Sequence, residues 1–451
     1  MNEKTMKISK NKKEKLEGFI TDWMNEIKVP GLSLSIIKDQ QMVYSSGFGS
    51  RDLKGNLPAT SETLYGIGSC TKSFTGLAIL QLVAEGRLNL DDQITNYLPI
   101  EWDKEVTIHH LLTHSSGMPS LGVAEAMIDR LIEMDERGLP MGGWDDFYTH
   151  LNGAKDEITT QSEDTFFYFN SGYELLGLII EKITGMEYSE YIHENILEPL
   201  DMKHSTFEHK DEEGYMTPYF IREDKPERTP YPNDEIGYAS GGLLSSAKEL
   251  ANYVMMNMNG GEFKGNQIID EELLEKAHTG YVESEIGKYG YGWAVNDFLG
   301  EKLVGHGGSI AVASGYIGFM GDLGVALVAN TSPSFSMEEI GKAVLAIMKG
   351  KEAKELPFFV RKNKMDKLAG NYESYRGIKE VEIEKEYGLL KLTFKERLES
   401  QKLILIPEQK TIDDYRFYYL DGNGEKNIVR FDMDENGDID LYIGRWRLHK
   451  I

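Results

Sequence analysis

Residues 69–85, SCTKSFTGLAILQLVAE, lie at the centre of the fold that the sequence predicts. Their apolar side chains recur at helical spacing, and Gly86 is typical of a helix end. Two antiparallel strands, over 32–38 and 41–47, are predicted before this helix. The apolar pattern of strands returns much later in the chain, at 291–296, 302–305, 314–319 and 324–330, followed by a helix over 337–349.

Strands at both ends of this segment, with helices between them, predict one antiparallel sheet built from distant parts of the chain. The expected fold class is therefore α+β, an antiparallel sheet flanked by helices with an inserted helical subdomain. An amphipathic helix over 12–26 precedes the first strand. We assign residues 1–348 to this domain.

The pattern changes after a segment rich in lysine and glutamate. Residues 349–365 are predicted as a linker, and residues 366–451 as a small closed antiparallel β-barrel, because short alternating strands are separated there by turn residues. The predicted strands lie at 381–384, 389–394, 403–406, 416–420, 428–433 and 439–448. Aromatic residues that serve either the barrel core or an interface are Tyr415, Phe417, Tyr418, Tyr419, Tyr442 and Trp446.

Composition excludes several classes of partner. The chain has 451 residues and a net charge of -25, so nucleic acid and anionic membranes would be repelled. One cysteine excludes an intramolecular disulfide, and the lysine- and glutamate-rich composition fits a heat-adapted protein. The basic N-terminus is not followed by an apolar signal region, and no apolar run approaches the ~20 residues of a membrane span. We expect a soluble, cytoplasmic protein.

Ser69 and Lys72 are three residues apart, so their side chains share one face of the predicted helix. At the helix N-terminus the Ser69 hydroxyl lies in the positive end of the helix dipole, and its backbone N–H is available to an oxyanion. Apolar surroundings would lower the pKa of the Lys72 ammonium towards that of a base, which a serine nucleophile requires. A helix cap is the alternative role of Ser69.

Tyr168 and Asn170 lie in the aromatic stretch TFFYFNSGYELLGLIIEKITG (165–185), which leads into an apolar helix. A phenol beside an ammonium has a depressed pKa, so Tyr168 is a candidate for proton exchange with Ser69 and with a leaving group. The Asn170 amide donates and accepts, which suits contact with a substrate and Lys72 together. Aromatic packing of Tyr168 and helix capping by Asn170 are the structural alternatives.

His306 ends the predicted strand over 302–305, and Gly307 and Gly308 follow it. Glycines allow another backbone to approach an edge strand closely. The N–H of Ser309 would then complete an oxyanion hole.

None of the three motifs is unique in the chain. Further copies are Ser9/Lys12, Ser35/Lys38, Ser245/Lys248, Tyr231/Asn233 and His278/Gly280. Their contexts favour, in that order, a frayed terminus, a strand interior, a helix cap, a turn and a surface loop. No metal or other cofactor is predicted, because residues 432–443 begin like a calcium loop but end in isoleucine instead of glutamate, and the histidines at 109, 110 and 114 lack a carboxylate pattern.

At these motifs the chain resembles the penicillin-recognising serine hydrolases, the group of class C β-lactamases, D-Ala-D-Ala carboxypeptidases, D-aminopeptidases and related esterases. Similar segments follow the family's order through residues 15–345 and include VPGLSLSII, LYGIGSCTKSFTGLAILQLVAEGRLNLDDQITNYLP, VTIHHLLTHSSGMP, YFNSGYELLGLIIEKITG and VGHGGS. The chain is especially similar to archaeal peptidases of this group that carry a C-terminal lipocalin-like barrel.

The resemblance implies a role for each candidate residue. Ser69 would be the acylated nucleophile, Lys72 its activating partner, and Tyr168 the general base and acid. His306 stands where many members have lysine and would tune the proton network or bind the polar end of the substrate, which argues against β-lactamase activity. The residues that would contact the substrate are Asn170, Gly307, Gly308 and Ser309, with the N–H groups of Ser69 and Ser309 as the oxyanion hole.

The expected function is a serine peptidase or amidase that cleaves short peptides, including peptides with D-residues. A carboxylesterase is the alternative, because the acyl-enzyme chemistry is shared, and a non-catalytic ligand-binding protein is the third reading. Short peptides are the expected partners. The barrel is expected either to mediate homo-oligomer formation or to restrict access to the cleft.

Overall fold

The computed structural model describes residues 7–134, 141–159, 165–333, 336–386, 388–395, 401–409 and 411–451. The chain forms two compact units, residues 1–350 and residues 351–451. The helices of the described residues are, in chain order, α1 (Lys10–Ile27), α2 (Thr71–Ala84), α3 (Ile108–Leu112), α4 (Val123–Leu131), α5 (Trp144–Gly153), α6 (Asn170–Thr184), α7 (Tyr188–Ile192), α8 (Tyr238–Gly241), α9 (Ala247–Met258), α10 (Glu271–Ala277), α11 (Met337–Met348) and α12 (Pro357–Leu368). Helix α12 occupies much of the segment that we predicted as a linker.

A nine-stranded antiparallel sheet is the centre of the first unit. Its order is β10-β11-β12-β13-β14-β15-β1-β2-β3, so strands from the end of the unit pair with strands from its beginning. The strands of this unit are β1 (Gly31–Lys38), β2 (Gln41–Asp52), β3 (Leu57–Pro58), β4 (Tyr65–Gly66), β5 (Tyr219–Arg222), β6 (Lys225–Arg228), β7 (Leu244–Ser245), β8 (Glu262–Phe263), β9 (Asn266–Gln267), β10 (Val282–Ser284), β11 (Gly287–Tyr289), β12 (Ala294–Phe298), β13 (Glu301–Ser309), β14 (Ser314–Met320) and β15 (Leu323–Ala329). The α+β prediction is confirmed.

Helices cover both faces of this sheet. A Cβ atom added to Gly341 of α11 would lie 2.2 Å from the Tyr316 ring, and one added to Gly324 would lie 2.6 Å from Val254 of α9. Gly324 pairs with Phe319, three residues from Tyr316 on β14. Because successive strand residues face opposite sides, α9 and α11 pack on opposite faces.

Strand β13 is longer than the sequence pattern predicted. It continues past Gly305 to Ser309, and His306, Gly307 and Ser309 pair with Ile317, Tyr316 and Ser314 of β14, respectively. The candidate site residues from His306 to Ser309 therefore belong to a regular strand.

The second unit contains a closed antiparallel barrel, as predicted. Its eight strands are β16 (Gly370–Glu373), β17 (Glu380–Glu386), β18 (Leu389–Phe394), β19 (Gln401–Pro407), β20 (Arg416–Leu420), β21 (Lys426–Met433), β22 (Ile439–Ile443) and β23 (Trp446–Lys450). The predicted strand over 439–448 is a hairpin, and β16 was not predicted. Of the aromatic residues, Phe417 is fully buried in the core, while Tyr415, Tyr419 and Trp446 pack against it.

Candidate active site

Ser69 lies in a single 3₁₀ turn (Gly68–Cys70) that leads directly into α2. Hydroxyl groups fix this turn, because Thr71 Oγ1 donates to the Gly68 carbonyl at 2.7 Å and Ser73 Oγ donates to the Cys70 carbonyl at 2.8 Å. Helix α2 is buried along most of its length, which anchors the turn in the core. The Ser69 side chain is held rigidly at the head of a buried helix.

The turn and strand β13 approach each other so closely that only glycine fits at their contact. A Cβ atom on Gly308 would lie 2.0 Å from the Ile67 carbonyl oxygen and 2.7 Å from the Ser69 nitrogen. Gly68 has a φ of +54°, and a Cβ atom there would lie 2.5 Å from the Ser309 nitrogen. This approach brings the backbones of Ser69 and Ser309 together, as a two-donor oxyanion hole requires.

Lys72 is fully buried, and its amine has three oxygen partners. Nζ lies 3.1 Å from Ser69 Oγ, 2.7 Å from Asn170 Oδ1 and 2.8 Å from the Ser240 carbonyl oxygen. As an ammonium, Nζ donates to all three oxygens, and as a neutral amine it donates to the two carbonyl oxygens while its lone pair accepts the Ser69 hydroxyl. Burial lowers the pKa of Lys72 to about 7, against the opposing field of Glu174.

Glu174 and Ser240 complete the surroundings of Lys72. Glu174 lies one turn after Asn170 on α6 and accepts the N–H groups of Ala239 and Ser240 at 3.2 and 3.1 Å. Burial raises the pKa of Glu174, while these donors and Lys72 counteract the rise. The carboxyl group fixes helix α8, in which the Ser240 carbonyl binds Lys72. Neither Glu174 nor Ser240 was predicted as a site residue. The four-residue spacing nevertheless places Glu174 on the same helix face as Asn170.

Tyr168 lies beside Ser69 and Lys72, but the predicted depression of its pKa is wrong. Lys72 Nζ lies over the face of the Tyr168 ring, 4.8 Å from its centroid. Burial raises the pKa of Tyr168, and the hydrogen bond with the Ser69 side chain offsets only part of that rise. Tyr168 is therefore a phenol at neutral pH, a proton donor and not a ready base.

His114 holds the backbone on both sides of Tyr168. Its carbonyl accepts the Phe167 N–H at 2.9 Å, and its Nδ1 accepts the Phe169 N–H at 3.1 Å. The His114 ring also lies 4.3 Å from the Tyr168 ring, centroid to centroid. Burial lowers the pKa of His114 far below its usual value, so the ring is neutral. The sequence offered His114 only as a metal-ligand candidate, and no local pattern indicated a contact with residues more than fifty positions away.

His306 is buried, neutral and bonded on both ring nitrogens. Nε2 lies 2.8 Å from the Tyr289 hydroxyl, and Nδ1 lies 2.5 Å from the Gly307 carbonyl oxygen. A carbonyl only accepts, so Nδ1 carries the proton and Nε2 accepts from Tyr289. Burial lowers the pKa of His306 to about 3, and Lys72 reinforces this effect. The ring cannot supply the positive charge of a lysine at this position.

Two cavities open beside Ser69. One, of about 740 Å³, has mainly apolar walls from α4, α5 and Ile310. The other, of about 1270 Å³, is bounded by Tyr168 and by the edge of β13 from His306 to Ser309. Ser69, Asn170 and Ser309 border both cavities, so the candidate residues lie at the junction of two halves of one cleft.

Of the rival motif copies, Tyr231 and Asn233 border the apolar cavity beside Ser69, and the others lie in other settings. The predicted frayed terminus is wrong for Ser9, which caps α1, and Ser35 contacts Ser45 across the sheet. Ser246, not Ser245, caps α9. The predicted surface position of His278 is wrong, because its ring is buried and lies 3.0 Å from Asn257 Oδ1.

Among the described residues, no helix combines the length and apolar character that a membrane span requires. Within the same ranges, no three His, Cys, Asp or Glu side chains cluster as metal ligands would.

A protein-family model for β-lactamases matches residues 16–348. The chain belongs to the β-lactamase family. This superfamily consists of serine hydrolases that act through an acyl-enzyme, and the resemblance stated from the sequence motifs is confirmed. A second family model, the Pab87 octamerisation domain, matches residues 352–449.

Among solved structures, the octameric penicillin-binding protein homologue from Pyrococcus abyssi is 38% identical to this chain, with a TM-score of 0.90 over 97% of this chain and 99% of that chain. A class C β-lactamase shares the fold of the first unit, at 21% identity and a TM-score of 0.63 over 74% of this chain and 96% of that chain. Protein flp of Staphylococcus aureus (strain MW2) is 29% identical over 332 residues, 69% of this chain and 61% of that protein. The chain thus spans 61% of the length of this relative.

Proposed function

We propose that the β-lactamase-family chain is a serine peptidase or amidase that cleaves short peptides, including peptides with D-residues, through an acyl-enzyme on Ser69. The observation that carries the proposal is the contact between Ser69 Oγ and the buried Lys72 amine at 3.1 Å. With a pKa of about 7, Lys72 is in part a free amine at neutral pH and removes the proton from the attacking hydroxyl.

The remaining groups complete an acyl transfer. Ser69 Oγ forms a bond to the substrate carbonyl carbon while Lys72 takes its proton, and the N–H groups of Ser69 and Ser309 stabilise the oxyanion. Tyr168 donates its proton to the leaving nitrogen as the C–N bond breaks, and Lys72 returns the proton to Tyr168. Asn170 accepts from Lys72 through Oδ1, and its Nδ2 donates to Glu125 Oε1 at 3.5 Å, so one further N–H of the amide would bind a substrate carbonyl.

Product analysis with a mixed substrate panel tests this function. Wild-type protein is incubated with L- and D-peptides and with aryl esters, and intact mass and products are recorded together. We expect a transient Ser69 adduct and peptide products. Ester turnover with intact peptides would instead establish the carboxylesterase, and neither adduct nor product would leave a binding protein.

The pH dependence of acylation follows from Lys72. Its pKa of about 7 means that protonation removes the base below neutrality, so the acylation rate is expected to fall about tenfold per pH unit below pH 7 and to level off above it. Burst kinetics with an aryl ester from pH 5 to 9 measure this effect, and a rate that stays constant from pH 5 to 8 would contradict Lys72 as the base.

We also propose that the chain forms a homo-oligomer through its second unit. The match to an octamerisation domain and the octameric Pyrococcus abyssi homologue support this. Apolar side chains are exposed there, including Tyr375 and Ile378, which are 73% and 75% accessible.

Native mass spectrometry tests the assembly. We expect a multiple of the 51.1 kDa chain mass for the wild type and a smaller assembly for Tyr375→Glu/Ile378→Glu. Leu53→Glu, an exposed apolar position of the first unit, is the control and should keep the wild-type mass. A 51.1 kDa wild type would refute the proposal.

A further inference from the structure

The two halves of the cleft are not equivalent with respect to the proton donor. Among the described lining residues, Tyr168 borders the larger cavity together with the β13 edge and is absent from the apolar cavity. In the proposed function Tyr168 protonates the leaving nitrogen, so the leaving group occupies the larger cavity. The side chain of the acyl residue then lies in the apolar cavity, on the other side of Ser69.

The acyl-side cavity is suited to a large apolar side chain. Helix α4 contributes Val123, Met127, Ile128 and Leu131 to its wall, and Phe147 of α5 closes it. The opposite wall, from residues 231–242, adds Asp234, and Glu174 also lines the cavity with its carboxyl bound to Ala239 and Ser240. The apolar wall from α4 and Phe147 favours an aliphatic or aromatic group. A substrate with glycine at this position would leave that wall uncovered.

The leaving-side cavity carries negative charge. Glu125 and Glu285 are exposed on its wall, and Glu338 lies there too but pairs with Lys342 at 2.7 Å. Among the described residues that line this cavity, none is a lysine or arginine. Lys72 is buried behind Ser69 and Asn170, and His306 is neutral.

A free C-terminal carboxylate in the leaving group would meet like charges there without a cationic partner. The net charge of -25 on the chain adds to this repulsion. A basic side chain, or a carboxyl group already in amide linkage, meets no such penalty, and Glu125 and Glu285 attract the former.

We propose that the cleft selects peptides that have a large apolar residue on the acyl side of the cleaved bond and a basic residue without a free carboxylate on the leaving side. The inference rests on the proposed function and deepens it. It predicts cleavage within chains or before amidated residues, and it disfavours removal of a free C-terminal residue.

Matched peptides test the leaving side. Acetylated peptides with phenylalanine before the cleaved bond and Lys-NH₂, Ala-NH₂, Glu-NH₂ or free Ala after it are compared by kcat/KM. We expect kcat/KM for the Lys-NH₂ peptide to exceed that for the free-Ala peptide by about tenfold or more at low salt. Addition of 0.5 M NaCl should narrow this ratio of kcat/KM values. Glu125→Gln/Glu285→Gln should also narrow it, whereas Glu283→Gln, an exposed neighbour outside the cavity, should not.

The acyl side is tested by filling its cavity. Ala124→Trp places a large side chain on α4 in that cavity and is expected to abolish cleavage after phenylalanine while cleavage after glycine persists. Labelling of Ser69 by a fluorophosphonate and the thermal midpoint show whether the variant is folded and reactive. Equal loss for both peptides in a fluorophosphonate-labelled variant would refute the acyl-side assignment.

The failure of the inference is distinguishable from the failure of the proposed function. Peptide cleavage that prefers free Ala, or that ignores Glu125 and Glu285, refutes the inference and leaves the peptidase standing. If Ser69 is labelled but peptides stay intact, the peptidase fails. Phenylacetate esters of choline, a cationic leaving group, and of glycolate, an anionic one, then test the charge preference of the leaving side. Equal hydrolysis rates for the two esters would overturn the inference.

Discussion

Ser69→Ala is expected to lower turnover by at least about 1,000-fold and to abolish covalent labelling by a fluorophosphonate. The reason is that alanine lacks the Oγ atom. In the wild type this atom lies 3.1 Å from Lys72 Nζ and would attack the substrate carbonyl. The 3₁₀ turn itself should survive, because the hydroxyls of Thr71 and Ser73 hold it. Intact-mass spectrometry and steady-state kinetics measure the two effects.

The chain offers its own control for this substitution. Ser9 also precedes a lysine by three residues, but it caps α1, and its hydroxyl accepts the Lys12 N–H at 3.4 Å. Ser9→Ala should therefore leave labelling and turnover within about twofold of the wild type, with only a small loss of helix stability. Labelling that survives in Ser69→Ala would show that another residue is the nucleophile.

Tyr168→Phe is expected to reduce peptide turnover by about 100- to 10,000-fold while acylation by a reactive aryl ester falls by less than about tenfold. An amine must be protonated as it leaves, and the Tyr168 phenol is the donor that lines the leaving side. An aryloxide leaves without that help. Stopped-flow acylation and peptide hydrolysis, measured on the same preparation, give the two rates.

Tyr173→Phe is the matched control for Tyr168→Phe. The Tyr173 ring also faces Lys72, with Nζ 5.5 Å from its centroid, but its hydroxyl donates to the Leu112 carbonyl at 2.7 Å, and Tyr173 is not among the described lining residues of either cavity. This variant should lower stability by about 1 kcal/mol and keep the ratio of peptide to ester rates. Equal losses of both rates in Tyr168→Phe would mean that the hydroxyl acts on Ser69 and not on the leaving group.

Periodicity predicted most of the sheet and of the barrel because alternation of apolar residues is a local property. It failed where the pattern was interrupted: Gly307 and Gly308 hid the continuation of β13, and a tight turn within 439–448 hid a hairpin. The helix α12 was missed because its charged residues looked like those of a linker.

The motif residues of the candidate site were visible in the sequence, but their environment was not. Glu174 and Ser240 were not singled out, and His114 was considered only as a metal ligand, because only folding brings these residues to Lys72 and Tyr168. The pKa of Tyr168 was predicted in the wrong direction because burial, which dominates it, cannot be read from a neighbouring charge.

The close contact between the Ser69 turn and β13 has a consequence for the nascent chain. The hydrogen bond from Cys70 Sγ to the His306 carbonyl, 3.1 Å long, joins residues 236 positions apart. During synthesis Ser69 therefore leaves the ribosome long before strand β13. On the proposed function, unfinished or truncated chains would carry Ser69 without the Ser309 N–H, and hydrolysis would begin only when the last strands close the sheet.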